Sequence, residues 1–263
     1  RGIYVEGYRQ DTLFYMDELT TSILSIRNML DGRLEFGDIE INELNFKLKT
    51  YQGEPDSNLG VFIEKLDDHQ PRAPGTPPFY FSSSDVRIAN SHFRLIDENK
   101  ERVESLNFTD LNIEAGDFLI LGPEVTTEIR ALSLQSSDGI SVERLATSFK
   151  YTKQQMRFDS LDIQTPASEL KGNLVFDYDR EDFQDFLNKV HVTAEFQEST
   201  VALNEVNQLY NEFGTDKSVT FSSSIQGVLN DLKVTRLFLQ TDQTGISGDF
   251  NFRNLFSSEA PFF

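Results

Sequence analysis

The segment Leu34 to Leu48, LEFGDIEINELNFKL, places apolar residues at Leu34, Phe36, Ile39, Ile41, Leu44, Phe46 and Leu48. At about 100° per residue a helix would scatter these positions around its whole circumference, so no helical face results. In a strand, residues two apart share a face, and each step of three reverses that face unless a bulge or tight bend absorbs one extra residue. The expected bends are Gly37-Asp38 and Asn42-Glu43.

The same eight-residue figure, apolar at its first, third, sixth and eighth places, returns as Leu106 to Ile113 (LNFTDLNI), Met156 to Ile163 (MRFDSLDI) and Leu232 to Leu239 (LKVTRLFL). A partial copy aligns Asp38 to Leu48 with Asp85 to Leu95 at a shift of 47 residues, DIEINELNFKL against DVRIANSHFRL. One structural unit is therefore used several times. The steps from Leu34 to Leu106, Met156 and Leu232 are 72, 50 and 76 residues, too irregular for identical solenoid rungs. The expectation is an all-β chain, an extended antiparallel sheet with variable loops. Its 23 Phe and 8 Tyr, with no Trp, suit strands and supply large apolar area.

Turn signals separate the strand patterns at Gly53, Asp56-Ser57-Asn58, Gly116-Asp117, Gly122-Pro123, Ser136 to Gly139, Gly172-Asn173 and Gly245. Asp67 to Pro78, with four of the eight prolines, reads as an exposed loop. Arg180 to Val190 spaces Phe183, Phe186, Leu187 and Val190 as a helix does, behind an acidic first turn. Ser199 to Phe213 does so with Leu203, Val206, Leu209, Tyr210 and Phe213, and Gly214 ends it. Ser25 to Leu30 reads as a helical turn between a strand at Thr12 to Ile23 and the next at Leu34.

With 24 Lys and Arg against 43 Asp and Glu, the chain carries a formal charge of −19 and no basic stripe, which argues against nucleic acid as a partner. The absence of Cys excludes disulfides, thiolate metal sites and Cys nucleophiles. No stretch approaches the roughly 20 apolar residues of a spanning helix, and no cleavable leader is seen. The opening at Arg1 and the apolar ending Ala260-Pro261-Phe262-Phe263 read as a piece of a longer chain.

No catalytic signature emerges. There is no Gly-x-Ser-x-Gly elbow, phosphate-cradling Gly loop or His-Glu-x-x-His, and His69, His92 and His191 are isolated from one another. The acidic run Asp177, Asp179, Glu181, Asp182 and Asp185 lacks the Gly and closing Glu of a calcium loop and reads as the charged start of a helix. Ser82 to Ser84 and Ser222 to Ser224 read as polar strand or loop positions. No enzyme activity, cofactor or metal is expected. The repeated apolar face remains, and an ordinary sandwich core explains it as well as an open surface does.

The run RLEFGDIEINELNFKLKTYQGEPDSNLGVFIEKLDD, then FSSSDVRIANSHFRLIDENK, LNFTDLNIEAGDFLILGPEV, FKYTKQQMRFDSLDIQTPASELKGNLVFDYDREDFQDF and LNEVNQLYNEFG, resembles the periplasmic repeats of the TamB family of translocation and assembly module subunits, in their Bacteroidetes form. These AsmA-like proteins are related to the bridge-like lipid transfer proteins. The resemblance implies a sheet curled lengthwise into an open apolar trough (a β-taco), with one or two short amphipathic helices plugging or capping it. It also implies a periplasmic location, an inner-membrane anchor outside this segment, phospholipid as cargo, and an outer-membrane Omp85-type barrel as partner through other regions. The whole of residues 1–263 then forms one extended segment. The lining so implied is Leu34, Phe36, Ile39, Ile41, Leu44, Phe46, Val86, Ile88, Phe93, Leu95, Leu106, Phe108, Leu111, Ile113, Met156, Phe158, Leu161, Ile163, Leu237 and Leu239.

Two further functions stand beside the lipid conduit: a scaffold that offers its sheet edge to nascent barrel strands, and a sandwich adhesin or carbohydrate-binding module. The missing Trp counts against the last.

Overall fold

The computed structural model describes residues 1–61, 78–100, 104–137, 139, 141–207, 217–241 and 244–255. The fold is all-β: among the described residues 13 strands form one unclosed sheet whose order follows the chain. Two compact units divide it, Arg1–Gly122 with Ala131–Ser141, and Pro123–Arg130 with Val142–Phe263. The Asp67 to Pro78 loop lies outside the described residues except for Pro78.

The first unit holds β1 (Ile3–Glu6), β2 (Thr12–Ile23), β3 (Arg33–Thr50), β4 (Tyr80–Asp97) and β5 (Glu104–Leu121). The sheet is mixed rather than antiparallel throughout, because β3 and β4 run parallel from Arg33↔Tyr80 to Thr50↔Asp97. The physical reason lies in the repeat. A parallel pairing at a constant offset of 47 sets Ile39 beside Val86, Ile41 beside Ile88, Phe46 beside Phe93 and Leu48 beside Leu95. Most apolar residues meet an apolar counterpart, Phe36 beside Ser83 being an exception, and the two bends fall side by side. The connection from Thr50 to Tyr80 is therefore a crossover rather than a hairpin. Its start is tied down by Asn58, which is 0% exposed: its amide Nδ2 donates to the Lys47 carbonyl, and its Oδ1 accepts from the amides of Lys49 and Leu59.

β6 (Glu124–Ser136) is shared by the two units, and the second continues through β7 (Ser141–Tyr151), β8 (Gln155–Gln164), β9 (Glu169–Asp177), β10 (His191–Ala202), β11 (Ser218–Val228), β12 (Asp231–Gln240) and β13 (Gly245–Arg253). Three of its hairpins turn on a Thr. The amides of Thr152, Thr165 and Thr241 donate to the carbonyls of Gln155, Ser168 and Thr244, and each Thr hydroxyl oxygen accepts the amide of that same residue. This satisfies the donors that a tight turn would leave bare.

The eight-residue figure has a backbone cause. Its fifth residue is left-handed in six strands: Glu43 (φ 54°), Asn90 (52°), Asp110 (52°), Ser160 (53°), Glu198 (39°) and Arg236 (52°). The pairings show the effect. Ile88 and Ser91, three apart, oppose Ile113 and Leu111, two apart, and Phe158 and Leu161 likewise oppose Leu174 and Gly172. Val234 and Leu237 oppose Phe250 and Gly248 in the same way. One residue is absorbed in a bulge, so the sixth and eighth places return to the face of the first and third. The bend foreseen at Asn42-Glu43 is left-handed at Glu43 but keeps its register with both β2 and β4, whereas the β2–β3 register shifts opposite Gly37-Asp38.

The bulge exposes an amide that the ladder cannot use, and the next strand accepts it. The Asn90 amide donates to Asn112 Oδ1 (3.0 Å), that of Ser160 to Asn173 Oδ1 (2.8 Å), and that of Arg236 to Asp249 Oδ1 (2.9 Å). Serines serve the other side. Ser91, 2% exposed, accepts the Leu44 amide, and Ser199, 0% exposed, accepts that of Lys171. Ser83, a polar strand position as expected, is 2% exposed and donates to the Gly37 carbonyl at 2.7 Å. Replacing Asn173 by Ala is expected to lower unfolding free energy by about 1 kcal/mol, and Asn173→Asp, which keeps the acceptor, by less. Urea denaturation monitored by circular dichroism checks this.

Short helices interrupt the strands among the described residues. Ile26–Leu30 starts at Ser25, whose hydroxyl accepts the Asn28 amide at 3.1 Å. The stretch expected at Arg180 to Val190 is a 3-10 turn, Arg180–Asp185, followed by the helix Phe186–Lys189. The helix expected over Ser199 to Phe213 needs correction: Ser199 to Ala202 finish β10, paired from Ser199↔Phe221 to Ala202↔Ser218, and the helix is Leu203–Val206. Ladder bonds to β11, with the β-branched pairs Thr200↔Thr220 and Val201↔Val219, outweigh the local helical spacing. Residues 208–213 of that expectation lie outside the described residues.

Candidate functional site

In the first unit the register brings the expected lining into cross-strand rows. Phe14, Phe46, Phe93 and Phe108 form one, with ring centroids 5.7 Å apart for Phe46–Phe93 and 6.0 Å for Phe93–Phe108. Ile41, Ile88 and Ile113 form a second, flanked by Leu19; Ile39, Val86 and Ala115 a third; Leu48, Leu95 and Leu106 a fourth. Leu34 stands beside Phe81, which faces Ile120, and Phe36 beside Ser83, which faces Phe118. Leu44 pairs with Met16, and Leu111 with Ser91.

The second unit repeats the arrangement. Phe149, Phe158, Leu174, Ala194, Ile225, Val234 and Phe250 follow one another from β7 to β13. Tyr151, Met156, Phe176 and Val192 lie in the next row, and Leu145, Ile163 and Leu170 in another. Leu161 faces Gly172, Leu239 lies between Phe221 and Ile246, and Leu237 faces Gly248. Sequence reasoning missed Phe81, Phe118, Phe149, Leu174, Phe176 and Ile225, whose strands carry the alternation without the full figure at those positions. Val234 was within reach, being the third place of the Leu232 to Leu239 copy.

Most of the expected lining side chains are half-buried, with Ile39 and Leu161 buried and Leu106 39% exposed. Within each unit, extensive contacts among the described residues link neighbouring strands, or a short helix and a strand. The segment 180–189 reaches the rows: Phe186 lies 5.8 Å from Phe176, and Phe183 lies 4.5 Å from Tyr178. Tyr178 donates to the Thr152 carbonyl, and burial raises its phenol above the usual range.

The alternate positions are polar. Arg87 pairs with Glu40 (3.4 Å), Lys49 with Glu98 (2.7 Å) and Arg144 with Asp162 (2.9 Å), while Asn90 Nδ2 donates to Asn42 Oδ1. Glu98 is held below its ordinary pKa chiefly by the Lys49 hydrogen bond, with help from the Gln52 amide. His92 Nε2 lies 2.5 Å from Asn107 Oδ1, and among the described residues no group of three or more His, Asp or Glu is placed to hold a metal.

Among the described residues the sheet also has open edges. β1 extends along β2 only as far as Ile3↔Met16, with one further bond from the Gly2 amide to Asp17, so Leu19 (37% exposed) and Ile23 (48%) stand on an edge with no outer strand among the described residues. β13 is the opposite edge.

These features define a class: a single-sheet β protein in which, within each unit, apolar rows cross from strand to strand and alternate with hydrogen-bonded polar rows. No protein-family model, curated protein or solved structure matches the chain.

Proposed function

We propose that the apolar rows hold the acyl chains of phospholipid while headgroups stay in water, and that the chain is a TamB-like periplasmic segment of a conduit between inner and outer membranes. One observation carries this reading: rows such as Phe14–Phe46–Phe93–Phe108 and Ile41–Ile88–Ile113 continue from strand to strand and stay half-exposed. Each methylene removed from water contributes about 0.8 kcal/mol, so a row of apolar side chains retains an acyl tail without any covalent step. The sequence resemblance supplies the compartment, the inner-membrane anchor and the Omp85-type partner. Curling of the sheet into a trough belongs to the same proposal.

A scaffold for outer-membrane barrel assembly is the second reading, favoured by the bare β2 edge at Leu19 and Ile23, onto which an incoming strand could add. Native mass spectrometry with lipid extraction, on protein purified without detergent, separates the two. Copurifying phospholipid, lost in Ile41→Asp or Ile88→Asp, is the expected result. A folded, lipid-free protein rejects the conduit and leaves the scaffold.

A further inference from the structure

Lys47 and Arg94 are direct cross-strand neighbours on the polar side of β3 and β4. Neither makes an ion pair among the described residues, and Arg94 Nε is buried with no hydrogen-bond partner. This is costly twice over: like charges directly opposite in a sheet repel, and a buried unsatisfied donor loses its hydration. It is also out of keeping with a chain of 43 acidic and 24 basic residues, in which the nearby Lys49 and Arg87 each have a carboxylate. The two cations line a cavity of about 340 Å³ with Tyr4, Thr12, Tyr15 and Asn45. Tyr4 pairs with Tyr15, and Tyr15 with Asn45, so β1, β2 and β3 place these groups together by register.

We infer that this cavity binds a phosphate monoester. Such a group carries about −1.5 to −2 charges near neutral pH, matching the two cations, whereas one carboxylate would leave a cation uncompensated. The Arg94 guanidinium is the fork for two phosphate oxygens, and Lys47 contributes a point charge. The Thr12 hydroxyl is a neutral donor, now given to Tyr4 Oη at 3.3 Å. The volume lies at the small end of ligand sites, about 300–1,000 Å³, and leaves room for a short organic part against the exposed rings of Tyr4 and Tyr15. The site is on the polar side of the strands, so it stands or falls apart from the lipid-holding proposal.

The test is calorimetric titration of the whole chain with glycerol 3-phosphate at low salt, with glycerol as the neutral comparison, and melting curves with and without ligand. Saturable one-site binding is expected, with no response to glycerol. Arg94→Gln and Lys47→Gln should each weaken binding about tenfold or more, while Lys153→Gln leaves it unchanged. Without ligand, Lys47→Gln should melt higher than the wild type because the repulsion is gone, and should lose the ligand-induced rise. A response to phosphatidylcholine vesicles containing phosphatidic acid, but not to glycerol 3-phosphate, assigns the phosphate to a lipid headgroup. No response to either, or binding that survives Arg94→Gln and Lys47→Gln, overturns the inference.

Discussion

Gly172→Ala and Gly227→Ala are each expected to destabilise the protein by about 2–3 kcal/mol, or to prevent folding of the second unit. A Cβ on Gly172 would overlap the Glu195 carbonyl oxygen of β10, and one on Gly227 the Asp231 carbonyl oxygen of β12. Both obstacles are backbone, so no rotamer change relieves them. Gly227 also has φ +133°, a conformation that a side chain resists. At Gly172 the close approach follows from the bulges: it pairs with both Leu161 and Phe196, where the registers of β8 and β10 shift. Gly245→Ala is the comparison, since its Cβ would meet only the Leu239 carbonyl oxygen at 3.9 Å, and its effect should stay within about 0.5 kcal/mol. Guanidinium denaturation of the three variants gives the ranking. A Gly172→Ala protein as stable as the wild type would show that β9 and β10 do not pack at this register.

Phe93→Ala should cost about 3 kcal/mol, near the low end for a Phe truncation because the side chain is half-buried. Its ring stands between Phe46 and Phe108, so its loss opens the row on both sides and removes two ring contacts. Phe238→Ala provides the contrast. Phe238 is 48% exposed and pairs with Ser222, one position away from the row containing Leu239, and its truncation should cost under about 1 kcal/mol. Equal losses for the two would mean that the aromatic row adds nothing beyond general burial.

The all-β class, the strand at Thr12 to Ile23, the helical turn before Leu34 and the Asn42-Glu43 bend were legible in the sequence, because each depends on the period of a few adjacent residues. The shared face of these apolar residues was legible for the same reason: the figure at Leu106 to Ile113 or Met156 to Ile163 encodes a bulge locally, and the bulge decides the face. Sequence alone did not reveal that β4 lies parallel to β3, although the shift of 47 residues was visible and equals the register. A repeat says that two segments are alike, while the direction in which they pair depends on matching every row and bend at once. Tertiary pairing also decided that Ser199 to Ala202 belong to β10, since only the neighbouring strand supplies the ladder that overrides helical spacing. The pairing of Lys47 with Arg94 was invisible for the same cause. Residues 47 apart become neighbours only when two strands choose each other, and that choice is made by the sum of long-range contacts rather than by any local run of sequence.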